Sequence, residues 1–162
     1  MTRTSYAIGL GSNRRGRHGS PAAEIAAALA AIAAGGDTVL AVSPVIATPA
    51  MGPSIRCFAN AAALIESDAA PLVLLARLKA IEAAFGRRRG RRWGARVIDL
   101  DILLWSGGRW TSPRLLVPHV GLPDRVFVLR PLVRIAADWR DPVSGRSIRQ
   151  LAHAVDRRPP RS

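Results

Sequence analysis

The chain has 162 residues, 49% of them apolar and 22% charged, and 24 basic residues against 11 acidic ones give a formal net charge of +13. This length and composition predict a single globular domain with a hydrophobic core over residues 1–156 and exclude an intrinsically disordered chain. Prolines and arginines in residues 157–162 predict a disordered tail. The excess positive charge predicts an anionic partner.

The single cysteine, Cys57, excludes an internal disulfide and a zinc site built from several cysteines. We therefore expect a reducing environment and a cytoplasmic location. Glycine, asparagine and arginine interrupt the N-terminal apolar residues by residue 13, so neither a signal peptide nor a membrane helix is predicted. We expect no membrane partner.

The positive charge is carried almost entirely by arginine, because Lys79 is the one lysine in the sequence. The planar guanidinium matches phosphate oxygens, which suits both nucleotide phosphates and a nucleic-acid backbone. Net charge alone does not distinguish a nucleotide ligand from a nucleic acid. For arginines outside the central cluster, genomic composition is an equally good explanation.

The first half of the chain alternates strand and helix signals. A short apolar strand is predicted at residues 6–10, followed by a turn. Ser20 can cap a helix at about residues 21–34, and Pro21 suits its first position. A second strand is predicted at residues 38–46 and a prolyl loop after it.

The pattern then repeats with a third strand at residues 58–65 and a helix that begins at Pro71 and ends at Gly86. A basic loop leads into a strand with two carboxylates, and short elements separated by prolines follow. The order strand, helix, strand, strand, helix, strand predicts an α+β protein with a ferredoxin-like split βαβ plan. We expect an antiparallel sheet with helices packed on one face, leaving the other face for a site.

Asp99 and Asp101 lie two residues apart in an otherwise apolar run. A β-strand points residues i and i+2 to the same face, so the two carboxylates project together. A divalent cation would remove their repulsion, and hard oxygen ligands favour magnesium. A pair of solvated acids bridged to arginines is an equally good interpretation. The opposite face of the strand is predicted to be apolar, with Ile98, Leu100, Ile102 and Leu104.

The arginines at residues 87–96 precede these carboxylates and can surround a polyphosphate, since phosphoryl transfer needs positive charge on the transferring oxygens. A mobile basic loop that binds RNA is the alternative. Trp93 within this segment can stack on a planar ring, although a core position is common for tryptophan. His119 suits a ligand contact or a general acid, and also a structural hydrogen bond.

Several short blocks follow one another in a recognisable order. The blocks are Gly11-Ser12-Asn13, Thr48-Pro49-x-Met51-Gly52-Pro53, Phe58-x-Asn60, Glu82 with Gly86-Arg87-x-Arg89, Arg92-Trp93-Gly94-x-Arg96-x-x-Asp99-x-Asp101, and Val117-Pro118-His119 before Arg125-x-Phe127. Their order resembles the 6-hydroxymethyl-7,8-dihydropterin pyrophosphokinase family of folate biosynthesis, and the resemblance runs from about residue 5 to about residue 135.

The resemblance implies transfer of the β,γ-pyrophosphoryl group of ATP to the hydroxymethyl oxygen of the reduced pterin, with release of AMP. It implies two Mg²⁺ ions at Asp99 and Asp101, and catalytic roles for Arg87 and Arg96. The pterin-binding residues it implies are Thr48, Pro49, Met51, Phe58, Asn60, Trp93 and Phe127. The ATP-binding residues it implies are Glu82, Arg89, Ile102, Arg114, His119 and Arg125.

The sequence departs from the family pattern at Lys79, Leu116 and Val120, where glutamine, a hydroxyl residue and an aromatic residue are usual. All three positions are on the nucleotide side. Ala95 replaces a usual proline before Arg96, which removes a constraint on the backbone. Two alternatives to an active enzyme are a basic nucleic-acid-binding module and a weakly active pterin-binding paralogue. We expect a monomer with small-molecule substrates and no nucleic-acid partner.

Overall fold

The computed structural model describes residues 2–48, 58–86 and 97–158 and contains helices together with antiparallel strands, which confirms the α+β class. The strands are β1 (Thr4–Ser12), β2 (Thr38–Val42), β3 (Ile46–Thr48), β4 (Phe58–Ser67), β5 (Asp99–Trp105), β6 (Trp110–Ser112) and β7 (Leu115–Val117). The α-helices are α1 (Pro21–Ala34), α2 (Pro71–Ala84), α3 (Val126–Ala136) and α4 (Ile148–Asp156), and a short 3₁₀ helix covers Leu122–Asp124.

The main sheet has the strand order β2-β4-β1-β5, with β3 also paired to β4 and every pairing antiparallel. The single strand predicted at residues 38–46 is two strands, because Pro44 lacks the N–H that a continuous ladder requires. Ser43 lies between β2 and β3 and still contacts β4, because its hydroxyl accepts a hydrogen bond from the Ala62 amide at 2.8 Å. The strands β6 and β7 form a separate hairpin.

Helices α1 and α2 pack on one face of the sheet, as predicted. The Ser20 hydroxyl caps α1 by accepting from the Ala23 amide at 3.3 Å, and Pro21 and Pro71 occupy the first turns of the two helices. Their apolar side chains meet alternate residues of the strands, which gives a closed core. This core includes Tyr6, Ile8, Leu10, Ile25, Ile32, Leu74 and Leu78.

The other face is not free, so the prediction of helices on one face only is wrong. Helices α3 and α4 bury Leu129, Leu132 and Leu151 there, against Ala7 and Ala62 of the central strands. The sequence hid α3 because Pro131, the sixth of its eleven residues, lacks the N–H that a helix interior uses for its hydrogen bonds. The small side chains on this face allow the helices to approach the sheet closely.

A register shift in β5 changes the predicted facing of one residue. Ala7 pairs with Leu104 whereas the next residue, Ile8, pairs with Ile102, so Leu103 is the extra residue of a bulge. Leu104 therefore packs in the α3 and α4 core together with Leu103, instead of on the α1 and α2 side. The prediction for Ile98, Leu100 and Ile102 is confirmed.

In the part of the chain that the structure describes, no helix is long and apolar enough to cross a membrane. The predicted tail begins at the end of α4, where the Arg157 amide donates to the His153 carbonyl. Arg158 donates to the Asp124 carboxylate at 2.6 Å. Residues 159–162 lie outside the described residues, so the disordered tail stays a prediction.

Candidate active site

The site begins with a row of residues across the neighbouring strands β4, β1 and β5. Asn60 on β4, Gly11 on β1 and Asp99 on β5 are in register, and Gly9 pairs with Asp101 in the next row. These residues face the α3 side of the sheet. The glycines leave the floor open, because a Cβ on Gly11 would lie 3.2 Å from the Asn60 side-chain oxygen.

A first cavity of about 170 Å³ rises from this floor. Two aromatic side chains face it from opposite elements: Phe58 at the start of β4 is 43% exposed, and Phe127 in the first turn of α3 is 47% exposed. Exposed aromatic rings in a concave site are suited to holding a flat ring. The cavity is lined by Gly9, Leu10, Gly11, Ser12, Asn13, Phe58, Asn60, Ala61, Asp99, Asp101, Arg125, Phe127 and Val128.

A second cavity, of about 440 Å³, lies between the edge strand β5, helix α2 and the hairpin β6–β7. It has apolar walls and a polar part with Arg114, His119 and Asp101, a combination that suits a molecule with a flat ring and an anionic group. The lining residues are Leu75, Lys79, Leu100, Asp101, Ile102, Ser112, Pro113, Arg114, Leu115, Leu116, His119 and Val120.

Asp101 lines both cavities, whereas Asp99 lines the first. Within the described ranges, no group of three or more His, Cys, Asp and Glu side chains could hold a metal ion. Two carboxylates on one strand face nevertheless fit magnesium, which commonly takes one or two carboxylates and completes its shell with phosphate oxygens and water. The pair is therefore suited to a cation that arrives with a polyphosphate.

His119 is fixed by its own loop beside Asp101. Its amide donates to the Leu103 carbonyl at 3.0 Å, and its Nδ1 accepts from the Gly121 amide at 3.0 Å. Because Nδ1 accepts, the neutral ring carries its proton on Nε2. Burial lowers the pKa of His119 below its ordinary value, Asp101 raises it and Arg125 lowers it further. The ring is thus held as a neutral N–H donor at neutral pH.

Glu82 is placed differently from the other predicted ATP-binding residues that the structure describes. It is buried near the end of α2, and its carboxylate accepts from Lys79 Nζ and from the Leu100 amide, both at 2.9 Å. These bonds tie α2 to β5 directly beside the carboxylate strand. Among the described residues, Lys79 lines the second cavity and Glu82 lines neither cavity.

The structure brings most of the described candidates together. Arg125 lies with the pterin candidates in the first cavity, and Thr48 pairs with Phe58 at the start of β4. Gly9 and Leu75 are among the lining residues that the sequence did not predict; the alternation of small residues on one face of β1 was the signal for Gly9. The candidates that lie outside the described residues are Pro49, Met51, Arg87, Arg89, Trp93 and Arg96.

The chain is similar to known proteins in both sequence and structure. The family model of 7,8-dihydro-6-hydroxymethylpterin-pyrophosphokinase (HPPK) matches residues 7–137. The 2-amino-4-hydroxy-6-hydroxymethyldihydropteridine pyrophosphokinase of Methylorubrum extorquens is 40% identical over 151 residues, covering 92% of this chain and 92% of that protein. The protein of the same name from Pseudomonas aeruginosa is 42% identical over 149 residues, covering 91% of this chain and 89% of that protein.

Among solved structures, wild-type Plasmodium falciparum HPPK-DHPS with SDX-DHP matches with a TM-score of 0.73 at 13% identity. The match covers 94% of this chain and 44% of that chain, so this chain spans less than half of the longer protein. The structural likeness supports the fold, and the sequence relatives support the family. The chain belongs to the 7,8-dihydro-6-hydroxymethylpterin-pyrophosphokinase family.

Proposed function

We propose that the two cavities beside Asp101 are the pterin and ATP pockets of a single transfer site. The family and the curated relatives identify the activity as that of an ATP-dependent pyrophosphokinase of folate biosynthesis. The observation that carries the assignment of the pockets is that Asp101 lines both of them. A carboxylate shared by two pockets is where a group passing from one substrate to the other would be held.

The reduced pterin binds in the first cavity, between Phe58 and Phe127. Asn60 presents an amide that can donate and accept at once, which matches the mixed donor and acceptor edge of a pterin. Thr48, Pro49 and Met51 contribute to the same pocket, and Trp93 covers it, as the resemblance implies. The open floor at Gly9 and Gly11 supports this assignment, because it gives the ring room to lie on the sheet.

The nucleotide binds in the second cavity, with its base among Leu75, Ile102 and the hairpin and its phosphates directed to Asp101. His119 donates from Nε2, and Arg114 pairs with a phosphate. Arg89 and Arg125 add positive charge on the phosphate side. Glu82 contributes to nucleotide binding indirectly. It accepts a hydrogen bond from the Lys79 ammonium and so holds this group at the wall of the pocket.

Asp99 and Asp101 hold two Mg²⁺ ions, which when bound offset the negative charge of the triphosphate and polarise its oxygens. The carboxylates project from a strand that pairs with β1, so they are set before substrates arrive. Asp101, shared by both cavities, keeps the reacting groups adjacent. This arrangement brings the pterin hydroxyl close to the β-phosphorus of ATP.

In the transfer itself, the hydroxymethyl oxygen forms a bond to the β-phosphorus and the bond from that phosphorus to the α,β-bridging oxygen breaks. The hydroxyl proton leaves to solvent and AMP departs. Arg87 and Arg96 stabilise the charge that develops on the transferring group. Their roles rest on the family resemblance, since both lie outside the described residues.

The enzyme acts as a cytoplasmic monomer of one domain, residues 1–156, on a ferredoxin-like sheet. The strand order β2-β4-β1-β5 supports this plan, because two strand–helix–strand units interleave in it. The family match to residues 7–137 supports a single domain.

Purified protein incubated with ATP, magnesium chloride and 6-hydroxymethyl-7,8-dihydropterin should release AMP and form the dihydropterin diphosphate. Omission of the pterin is the control for ATP hydrolysis. Folded protein that releases no pterin-dependent AMP at any metal concentration would contradict the proposal. The nucleic-acid alternative predicts instead salt-dependent RNA binding that survives Asp99→Asn and Asp101→Asn.

A further inference from the structure

The loop between β1 and α1 contains a buried polar contact that the proposed mechanism does not use. Glu24 in the first turn of α1 is fully buried. Its Oε1 accepts from the His18 amide at 2.8 Å, and its Oε2 lies 2.8 Å from His18 Nδ1. An ionised carboxylate only accepts, so Nδ1 carries the proton in this contact. Burial of a carboxylate is costly without such partners, which makes this contact a fixed feature of the loop.

The same loop is closed upon itself by glycines. The Gly16 and Gly19 backbones exchange two hydrogen bonds of 3.2 Å each. Gly19 has a φ of 118°, a conformation that other residues rarely adopt. Together with Glu24, these bonds give the loop one defined shape.

This loop contacts the residues on both sides of the arginine segment 87–96. The His18 ring lies against Phe85, with 4.6 Å between the ring centroids. On the other side, a Cβ on Gly16 would lie 2.6 Å from Val97 Cγ1 and 2.5 Å from Glu24 Oε1, so only glycine fits there. Val97 in turn lies beside Gly86, where a Cβ would be 3.6 Å from Val97 Cγ2.

We propose that Gly16, His18 and Glu24 are positioning residues for pyrophosphoryl transfer, which act by fixing Phe85, Gly86 and Val97. These three described residues stand immediately before Arg87 and immediately after Arg96. The contacts thus fix the described backbone on both sides of the segment. The inference rests on the proposed roles of Arg87 and Arg96.

The contacts should influence the transfer step more than pterin binding. The described pterin pocket is formed by β1, β4, β5 and the start of α3, and Gly16, His18 and Glu24 do not line it. The arginines are expected to act on charge that develops in the transition state. An interaction made only in the transition state changes kcat when it is lost, whereas substrate affinity is retained.

The test compares His18→Ala and Gly16→Ala with the parent chain. His18→Ala removes the ring contact and the Nδ1 partner of Glu24, and Gly16→Ala forces Val97 and Glu24 apart. His18→Asn is the conservative variant, since its side-chain N–H can replace Nδ1. Gly35→Ala is the matched control, because its Cβ would meet only atoms at 3.5 Å at the far end of α1.

We expect both disruptive variants to lower kcat by about tenfold or more, because small misplacements of catalytic groups are costly. Pterin affinity, measured by equilibrium titration in the absence of nucleotide, should change little. His18→Asn restores the partner of Glu24 but not the ring contact with Phe85, so it should recover part of the rate, and Gly35→Ala should match the parent. Amide hydrogen exchange at Gly86 and Val97 should become faster in the disruptive variants alone. Gly16→Ala keeps the inference testable if His18→Ala does not fold.

An unchanged kcat in both disruptive variants would overturn the inference while leaving the proposed function intact. So would a fall in kcat matched by an equal loss of pterin affinity, since that would mean a general disturbance of the site. A parent chain that releases no AMP would overturn the proposed function first, and the inference with it.

Discussion

The two cavities that share Asp101 are built from different kinds of structure. The first stands on the sheet, where Asn60, Gly11 and Asp99 form one row because β1 pairs with β4 on one side and with the edge strand β5 on the other. The second is enclosed by the edge strand, a helix and the separate hairpin β6–β7. Its wall includes Leu116, 49% exposed, and Val120, 78% exposed.

This difference bears on the predicted departures from the family pattern at Lys79, Leu116 and Val120, which all line the second cavity. A change in the first cavity would disturb a paired strand or a packed neighbour, because its floor is part of the sheet. In the second cavity, Lys79, Leu116 and Val120 lie on surfaces that tolerate other side chains. The assignment proposed above therefore places the nucleoside in the more exposed of the two cavities.

The largest effect should come from Asp101, because it belongs to both cavities. We expect Asp101→Asn to lower kcat by at least about a hundredfold, as loss of a charged group at a transfer site commonly does. The affinities for the pterin and for magnesium ATP should both fall. Asp99→Asn is the comparison variant, and its effect on ATP affinity should be smaller since Asp99 lines the first cavity. Equal effects of both variants on both substrates would remove the distinction between the cavities.

A change confined to the first cavity should affect the pterin alone. We expect Asn60→Ala to weaken pterin binding by about tenfold, because a hydrogen-bonding edge of the ligand is left unpaired. The affinity for ATP should remain that of the parent protein. Fluorescence titration of each substrate separately measures the two affinities. A comparable loss of ATP affinity would show that the cavities do not act as separate pockets.

A change confined to the second cavity should have a smaller effect, and on the nucleotide only. Lys79→Gln restores the residue that is usual in the family and removes the ion pair with Glu82. We expect the KM for ATP to change by about twofold to threefold with kcat unaltered, because the glutamine amide can still donate to the buried Glu82 carboxylate. Initial rates at varied ATP measure this. A large change in kcat would place Lys79 in the chemistry and contradict its assignment to the nucleoside side.

Local sequence signals predicted the first two helices and the facing of the carboxylates. Alternation in a strand sufficed for Asp99 and Asp101, and the Ser20 cap with Pro21 sufficed for α1. These features depend on neighbours in sequence. The bulge at Leu103 depends instead on how β5 pairs with β1, so no alternation pattern could reveal it.

The second half of the fold was hidden for a similar reason. Pro131 within α3 suggested a break, although the helix continues past this buried proline. The capping pair Ser147 and Gln150 is a local sequence signal for α4. The sharing of Asp101 by two cavities required the hairpin β6–β7 and the His119 loop, which come together only in the tertiary structure.

The smallest effect should be the pH dependence of stability that His119 contributes. Burial holds its pKa below 6.5 in the folded chain, so the unfolded chain binds a proton more readily. Neutral His119 therefore makes its full contribution to the free energy of unfolding above pH 6.5. This contribution is lost as the pH falls from 6.5 towards the lowered pKa of the folded chain. His119→Asn has no ring to titrate, so between about pH 7.5 and about pH 5.5 the parent should lose more stability than the variant. Urea unfolding of both proteins at the two pH values measures the difference, and parallel losses would show that His119 titrates alike in the folded and unfolded chains.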